Sequence, residues 1–435
     1  MATPYIDEEN IKLTPEKMAI IGSGGREHAL AWKFAQELHW DNVYTLPGNA
    51  GIPNSHPMDI NDFEAIEAFC KEHEISSIFV GPEAPLANGI VNYFQESKSK
   101  IKALGPGKVA AQLESSKIFS KKFMEKHGVA TSPFQAFERV SDAQALVIEK
   151  EGNLVIKYDG LAGGKGVYVC DSITEANEAL EELRTNYGED CPFLIEDKIV
   201  GDEISIIGFV DNQCIKLLLP SQDHKQLNDG DTGPNTGGMG AFCPVPFWDE
   251  ELRDLVQKTI VQPTFDGIQA ENMYYKGVIY FGIMIGADGP QLLEYNVRFG
   301  DPETEVLLPS LKTSLFEIFR TCFSNMLTNL PFEFNEGYFV DIVQVSGGYP
   351  KAYPKGYAIE GLDTVQEDTL VFHAGTKLEN DQIVTNGGRV LNIVCQGNTL
   401  EEAIEKAYSE CAKITFKDQY YRKDIGQRKN IMFKA

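Results

Sequence analysis

At 435 residues, with 43% hydrophobic and 24% charged side chains, the chain has the composition of a soluble globular protein and too much length for one core, so about two to four domains are expected. Its 64 acidic residues against 39 Lys and Arg give a net charge of −25, a field that repels nucleic acid and anionic membranes. Any phosphorylated ligand must then be captured by locally placed cations and backbone amides, and no apolar run approaches the roughly 20 residues that a bilayer span needs.

The first seventeen residues (MATPYIDEENIKLTPEK) carry no apolar stretch of the signal-peptide kind, so a short extension over 1–16 and a cytoplasmic protein are expected. Met18–Ile21 then reads as a strand, Gly22-Ser23-Gly24-Gly25 as a glycine turn, and Ala29, Leu30, Trp32 and Phe34 as a helix: the opening of a βαβ unit. The turn lacks the GxGxxG spacing of a dinucleotide site. What remains is an anion site at a helix N-terminus, strengthened by Arg26 and better suited to a phosphate monoester. Strands at Asn42–Thr45, Ser77–Val80 and Ala103–Gly105 alternate with helices at Phe63–Glu72 and from about Leu86. This predicts a parallel sheet covered on both faces and ending near residue 117. Pro47-Gly48-Asn49 and Gly81-Pro82-Glu83 close successive strands on the carboxyl edge, where open α/β sheets bind ligands.

A helix from Ser116 to about His127 leads into a second α/β region. Its strands Leu154–Lys157 and Val167–Cys170 flank the loop DGLAGGKG (159–166), and Ser172–Asn186 reads as a helix. Glycines let backbone N–H groups approach phosphate oxygens, and Lys157 at the strand end faces the same place. A plain hairpin loop is the alternative, since no Ser or Thr follows the lysine as in a P-loop. Phe193–Ser205 reads as strand, acidic crossing, strand. Such a crossing offers main-chain groups to an adenine edge and Glu203 to the ribose hydroxyls, unless it is only an acidic surface turn. Ser221–Lys225 and Asp229–Gly240 form a long, polar, glycine-rich loop between apolar flanks, of a length that is usually functional. His224 within it is a base or, more often for a lone histidine, a positioning or packing group.

The most informative stretch is Leu292–Glu305, LLEYNVRFGDPETE. The apolar run from Tyr280 to Ile285 and the turn Ala287–Pro290 precede it, so it reads as the second strand of a hairpin. Residues two apart in a strand share a face, which aligns Glu294, Asn296 and Arg298. Two hard oxygen ligands and a cation suit a divalent ion on a nucleotide phosphate beside a negative reaction centre. A solvated polar strand face would show the same alternation. From about Phe332 the chain is strand-rich up to a final helix, Leu400–Phe416. Eight scattered cysteines without a CxxC pair point to buried, reduced thiols, and the histidines show no zinc-ligand spacing.

Taken together, the blocks GSGGREHAL, PGNAG, VGPEAPLANG, AAQLESSK, the glycine loop, SQDHK, DGDTGPNTGGMGAF, LEYNVRFGDPETEVLLP, SGGYP, FHAGT, GGRVL and RKDIG resemble one family, in its order, from about Lys17 to Arg428. That family is phosphoribosylamine–glycine ligase, also called glycinamide ribonucleotide synthetase, of the ATP-grasp superfamily. The resemblance implies an α/β multidomain protein: a parallel α/β domain over 17–117, an ATP-grasp domain over 118–330 with a lid at about 132–195, and a β-rich domain over 331–435. It implies ligation of glycine to 5-phosphoribosylamine with ATP, through glycyl phosphate, in purine biosynthesis. Partners are then small molecules, not nucleic acid or membrane, for a monomer or weak homodimer. Carried over by position, Lys117, Lys157, Gly163, Gly164, Glu196 and Glu203 look like the ATP residues, and Glu294 and Asn296 like the ligands of Mg²⁺ or Mn²⁺. Arg298 and Lys157 look catalytic, and Gly24, Gly25, Asn49, Asp223, Lys225 and Arg298 look like the substrate residues.

Four places depart from the pattern. Tyr158 stands in place of Ala, and Ala162-Gly163-Gly164 in place of Ala-Ala-Gly, so a looser and more crowded loop is expected. Asp197-Lys198-Ile199 replaces Glu-Phe-Leu, which main-chain adenine contacts would tolerate. Met284 occupies the place of a further acidic ligand in many ATP-grasp enzymes, leaving the metal to Glu294, Asn296, phosphate oxygens and water. The competing reading is another ATP-grasp carboxylate–amine ligase or a carboxylase subunit. The GSGGREH opening and the 229–240 loop speak against it.

Overall fold

The computed structural model describes residues 16–162 and 166–427. β1 (Met18–Gly22), α1 (Gly25–Leu38), β2 (Val43–Pro47), α2 (Phe63–Glu72), β3 (Ser77–Val80), α3 (Glu83–Asn88), α4 (Ile90–Glu96) and β4 (Lys102–Pro106) alternate as expected. Their strands are parallel, with Met18 opposite both Val43 and Ser77. β1 and β3 are buried along their whole length because helices cover both faces. The single helix read from Leu86 is two, parted at Gly89, whose φ of 95° only glycine adopts without strain.

α5 (Gln112–Ser115) and α6 (Lys117–His127) follow, the latter capped by Ser116, whose hydroxyl accepts from the Phe119 amide at 3.0 Å. Next comes the lid: β5 (Phe134–Phe137), α7 (Gln144–Glu149), β6 (Asn153–Tyr158), β7 (Val167–Asp171), α8 (Ile173–Tyr187) and β8 (Phe193–Asp197). Its sheet has the order β5-β8-β6-β7, and it closes over an apolar core of its own built from residues such as Leu154, Ile156, Leu180 and Phe193.

β9 (Gly201–Val210) and β10 (Ile215–Leu217) lead into the glycine-rich stretch. That stretch is a set of short strands, β11 (Gln222–Asp223), β12 (Gln226–Asn228), β13 (Thr232–Asn235) and β14 (Gly240–Cys243). α9 (Glu250–Val256) and α10 (Gln262–Ala270) precede the hairpin of β15 (Tyr275–Gly286) and β16 (Gly289–Asn296). The strand stops at Asn296, short of the whole span Leu292–Glu305, because the Asp301-Pro302 turn starts the buried helix α11 (Glu303–Ser310), followed by α12 (Leu315–Ser324). β17 (Tyr338–Val345), β18 (Leu370–His373), β19 (Thr376–Glu379), β20 (Gln382–Thr385), β21 (Arg389–Gly397) and α13 (Leu400–Cys411) complete the C-terminal part.

The N-terminal sheet does not end with its own unit. β4 pairs antiparallel with β15, Tyr275 opposite Pro106, giving one eight-stranded sheet in the order β10-β9-β15-β4-β3-β1-β2 with β16 on β15. A second sheet, β11-β14-β17-β21-β18, draws the glycine-rich stretch into the C-terminal part. Helix α1 lies where these bodies meet, against α11 on one side and β18 on the other. Gly25 allows the approach: a β-carbon on it would stand 2.1 Å from Asn392 Nδ2 and 2.5 Å from Glu305 Oε1. Among the described residues no helix is long and apolar enough to cross a membrane, and every cysteine is unpaired, with all but Cys214 buried.

Behind α1, Glu305 and Asp341 are fully buried. Burial first, then repulsion from Asp301, holds both carboxyls well above their ordinary range, with Arg389 opposing only in part. A carboxyl whose pKa is raised by folding stabilises the fold while both states keep the proton and loses that contribution as pH climbs toward the raised value, at up to about 1.4 kcal/mol per pH unit. Asp341→Asn, neutral at every pH, should therefore melt higher than the wild type, by a margin that widens between pH 5 and pH 8. Thermal unfolding at both pH values measures it, and a margin independent of pH would show that Asp341 is ionised in the fold.

Candidate active site

The site grows from the register of one strand. Along β16 and just beyond it, Tyr295, Val297 and Phe299 are buried, while Glu294, Asn296 and Arg298 are half-buried on the other face. Tyr295 fixes this choice: its ring packs on Phe281 and Phe123, and its hydroxyl meets Thr264 at 2.7 Å. A register shift beside Gly282 leaves Leu293 bulged, and its carbonyl accepts from Lys157 Nζ at 3.0 Å.

Glu294 faces Lys117 Nζ at 4.0 Å. Burial works against its charge, but Lys117, Lys225, Lys157 and Arg298 together pull its pKa down to about 2. The Arg298 guanidinium is held from several sides: by Glu114 Oε1 at 2.8 Å, Asn296 Oδ1 at 3.0 Å and the Phe299 carbonyl at 3.1 Å, with Glu83 at 3.7 Å. Glu114 in turn accepts from the Val297 amide at 2.8 Å. A cation fixed in this way needs no rearrangement to meet a negative charge.

Glu196 is buried between two lysines, Lys121 at 2.5 Å and Lys157, so its side chain serves to hold Lys157 and only its main chain is left for an adenine edge. Lys121 also donates to Thr131 Oγ1 at 2.7 Å and Ser132 Oγ at 3.0 Å. Burial lowers its pKa to about 8, with Glu196 opposing the shift. Two ammonium groups around one carboxylate leave a positive charge in excess beside Glu294, where a phosphate chain would need it.

Glu203 and Lys225, assigned from sequence to different ligands, form an ion pair. Burial disfavours the Lys225 charge, yet Glu203, Asp223, Tyr280 and Glu294 hold its pKa well above the ordinary value. Asp223 and Lys225 thus belong to the charges around Glu294. Gly24, Gly25 and Asn49 belong to the start of α1, and their observed contacts are structural. Gly24 N donates to Glu27 at 2.6 Å, and Asn49 Nδ2 donates to the carbonyls of Ser23 at 2.9 Å and His373 at 2.6 Å. Arg26 is also committed, to Glu27 at 2.6 Å and the Phe299 carbonyl at 3.1 Å. A cleft of about 400 Å³ opens at this turn, lined by Ser23, Gly24, Pro47, Pro82 and Asp301 among others.

Gly163 and Gly164 lie outside the described residues. At the loop's described start, Tyr158 stacks on Tyr187 with ring centroids 3.7 Å apart, and a β-carbon on Gly160 would stand 2.6 Å from the Tyr158 ring, so the expected crowding is real at Gly160. Asp159 Oδ1 accepts from Ser116 Oγ at 2.9 Å and the Ile118 amide at 3.0 Å, tying the lid to the start of α6. His224 is buried, and its Nε2 accepts from the Gly426 amide at 3.3 Å, as a packing group would. The sequence reading missed Lys121, Glu114, Asp159 and Arg389. Only Lys121 carried a local signal, one helical turn after Lys117.

A lid on a separate core, a mixed sheet, and a carboxylate, an amide and an arginine on one ribbon opposite two lysines define an ATP-grasp enzyme. Comparison with known proteins narrows this. The N, ATP-grasp (A) and C domain models of phosphoribosylglycinamide synthetase match residues 16–114, 115–304 and 339–428. Phosphoribosylamine–glycine ligase of Halalkalibacterium halodurans is 42% identical over 94% of this chain and 96% of its own. The trifunctional purine biosynthetic protein adenosine-3 of Homo sapiens is 43% identical over 95% of this chain, which spans 42% of that protein's length. The crystal structure of the Thermotoga maritima phosphoribosylamine–glycine ligase superposes with a TM-score of 0.80 at 34% identity, over 94% of this chain and all of that one. The chain belongs to the phosphoribosylamine–glycine ligase family. A Campylobacter jejuni biotin carboxylase, TM-score 0.68 at 17% identity, shares the fold alone.

Glu294→Ala and Arg298→Ala should each lower ATP-dependent turnover by at least about a hundredfold, while circular dichroism and the melting temperature stay near wild type. Full activity in either purified variant would remove these residues from the site.

Proposed function

We propose that this chain joins glycine to 5-phosphoribosylamine at the expense of ATP, giving glycinamide ribonucleotide, ADP and phosphate in de novo purine biosynthesis. The observation that carries this reading is the Glu294–Asn296–Arg298 face set opposite Lys117 and Lys157. Lys117 and Lys157, the latter fixed by Glu196 and the Leu293 carbonyl, take the nucleotide phosphates. A lid closed over the phosphates would protect an acyl phosphate from water. Arg298 orients the glycine carboxylate for attack on the γ-phosphorus and stabilises the glycyl phosphate so formed. The phosphoribosylamine nitrogen then displaces phosphate.

The donor set fits a divalent cation. Glu294 keeps its charge down to about pH 2, and the Asn296 oxygen has a lone pair beyond the one that Arg298 uses. Two protein oxygens suit Mg²⁺ or Mn²⁺ sharing its shell with water and phosphate, and the ion would neutralise charge on the phosphate chain. Glu203 is the ribose acceptor in this reading, with Lys225 released from it or shared. The test is ADP release with glycine and phosphoribosylamine each omitted in turn. Release should be fast with both, slow with glycine alone, and absent without glycine even when bicarbonate is supplied. Bicarbonate-dependent release would instead favour a carboxylase-type reaction.

A further inference from the structure

The cleft at the start of α1 has three carboxylates in its wall, Glu27, Asp59 and Asp301, and two are engaged elsewhere. Glu27 gives one oxygen to Arg26 Nε and the other to the Gly24 amide, both at 2.6 Å. Asp59 is exposed and caps the Asn61 amide at 2.9 Å. Asp301 is placed differently. Arg389 Nη1, from β21, holds its Oδ1 at 3.0 Å and its carbonyl at 2.8 Å, while Oδ2 stands 3.2 Å from where a β-carbon on Gly24 would be. One oxygen is thus anchored and the other borders the glycine turn that walls the cleft. Glu305 and Asp341, the other acids near Arg389, are fully buried, which pushes both carboxyls up, and the ion pair that Arg389 makes is with Asp301.

The cleft also adjoins the acyl donor's side. Arg26 and Arg298 each donate to the one carbonyl oxygen of Phe299, both at 3.1 Å, and Pro82 in the cleft wall precedes Glu83, 3.7 Å from Arg298. A glycyl group held at Arg298 would be approached from this cleft past Asp301. On the ligase reading above, from which this inference takes its reaction, we propose that Asp301 binds the amino group of phosphoribosylamine in the cleft and accepts its proton. The nitrogen adds to the glycyl carbonyl and the new C–N bond forms. The C–O bond to phosphate breaks, phosphate leaves with that electron pair, and the proton released by nitrogen passes to Asp301 Oδ2 and on to solvent. Arg389 is a positioning residue, keeping the carboxylate turned to the cleft.

Two half-measurements on the full-length enzyme test this. The first is glycyl hydroxamate formed from ATP, glycine and hydroxylamine, which reports acyl phosphate formation without the second substrate. The second is transfer to phosphoribosylamine. Asp301→Asn should keep hydroxamate formation near the wild-type rate and lower kcat for transfer by about a hundredfold or more. Arg389→Lys should lower transfer less, again sparing the hydroxamate. Unchanged transfer in Asp301→Asn, a loss confined to KM for phosphoribosylamine, or an equal loss of hydroxamate and transfer in both variants would overturn the role. A wild-type enzyme that makes no hydroxamate would overturn the ligase reading itself, and this inference with it.

Discussion

Everything chemical in this molecule depends on Tyr295 staying in the core. Strand side chains alternate, so a slip of one residue in β16 would bury Glu294, Asn296 and Arg298 and expose Tyr295 and Val297. Burying three charged or polar groups in exchange for two apolar ones makes that slip prohibitive, and the rings of Phe281 and Phe123 on Tyr295 secure it further. The bulge at Leu293 then does a second job. By turning one carbonyl toward Lys157, it fixes that lysine to the same strand that carries the Glu294 carboxylate. Carboxylate, amide, guanidinium and lysine are referenced to one piece of backbone.

The overall charge of −25 makes the local arrangement of cations the decisive quantity. Four cations around the site each have a carboxylate partner: Lys225 with Glu203, Arg298 with Glu114, Arg389 with Asp301, Arg26 with Glu27. Such pairs gain little net stability, because desolvation offsets most of the attraction, but they hold charges in place before a ligand arrives. The exception is Glu196, which serves two lysines. On the proposed reading, that imbalance would help draw a polyphosphate to an otherwise acidic protein.

Local periodicity made much of this legible. The βαβ alternation of the first hundred residues and the alternation of Glu294, Asn296 and Arg298 are period signals, and the structure bears out both. What could not be read is long-range. The pairing of Pro106 with Tyr275 joins the parallel sheet to the antiparallel one, and nothing near either residue announces it. Glu203 and Lys225 looked like members of two sites because they flank different segments; only the fold puts them in contact. Helix α11 was hidden for another reason. Its first turn is acidic yet wholly buried, so it shows no amphipathic pattern, and Glu303 and Glu305 read as a continuation of the polar strand.

The two sides of the site also differ in how they are built. The lid has an apolar core of its own and is tied to the rest of the molecule at two places, through Asp159 at the start of α6 and through Lys157 at the Leu293 carbonyl of β16. The cleft side is walled by α1, whose buried polar residues are each matched to a neighbour: Lys33 to the Leu311 carbonyl, the His28 ring nitrogen to the His373 amide at 2.8 Å, Arg26 to the Phe299 carbonyl, and Glu27 to Arg26 and the Gly24 amide. His28 contributes no charge there, since burial and its neighbour His373 lower its pKa to about 3. Movement of α1 would break contacts to α11 and β18 together. Under the proposed reaction this division has a use: a cover with its own core would shield an acyl phosphate from water, while α1, held on two sides, would keep the cleft in place.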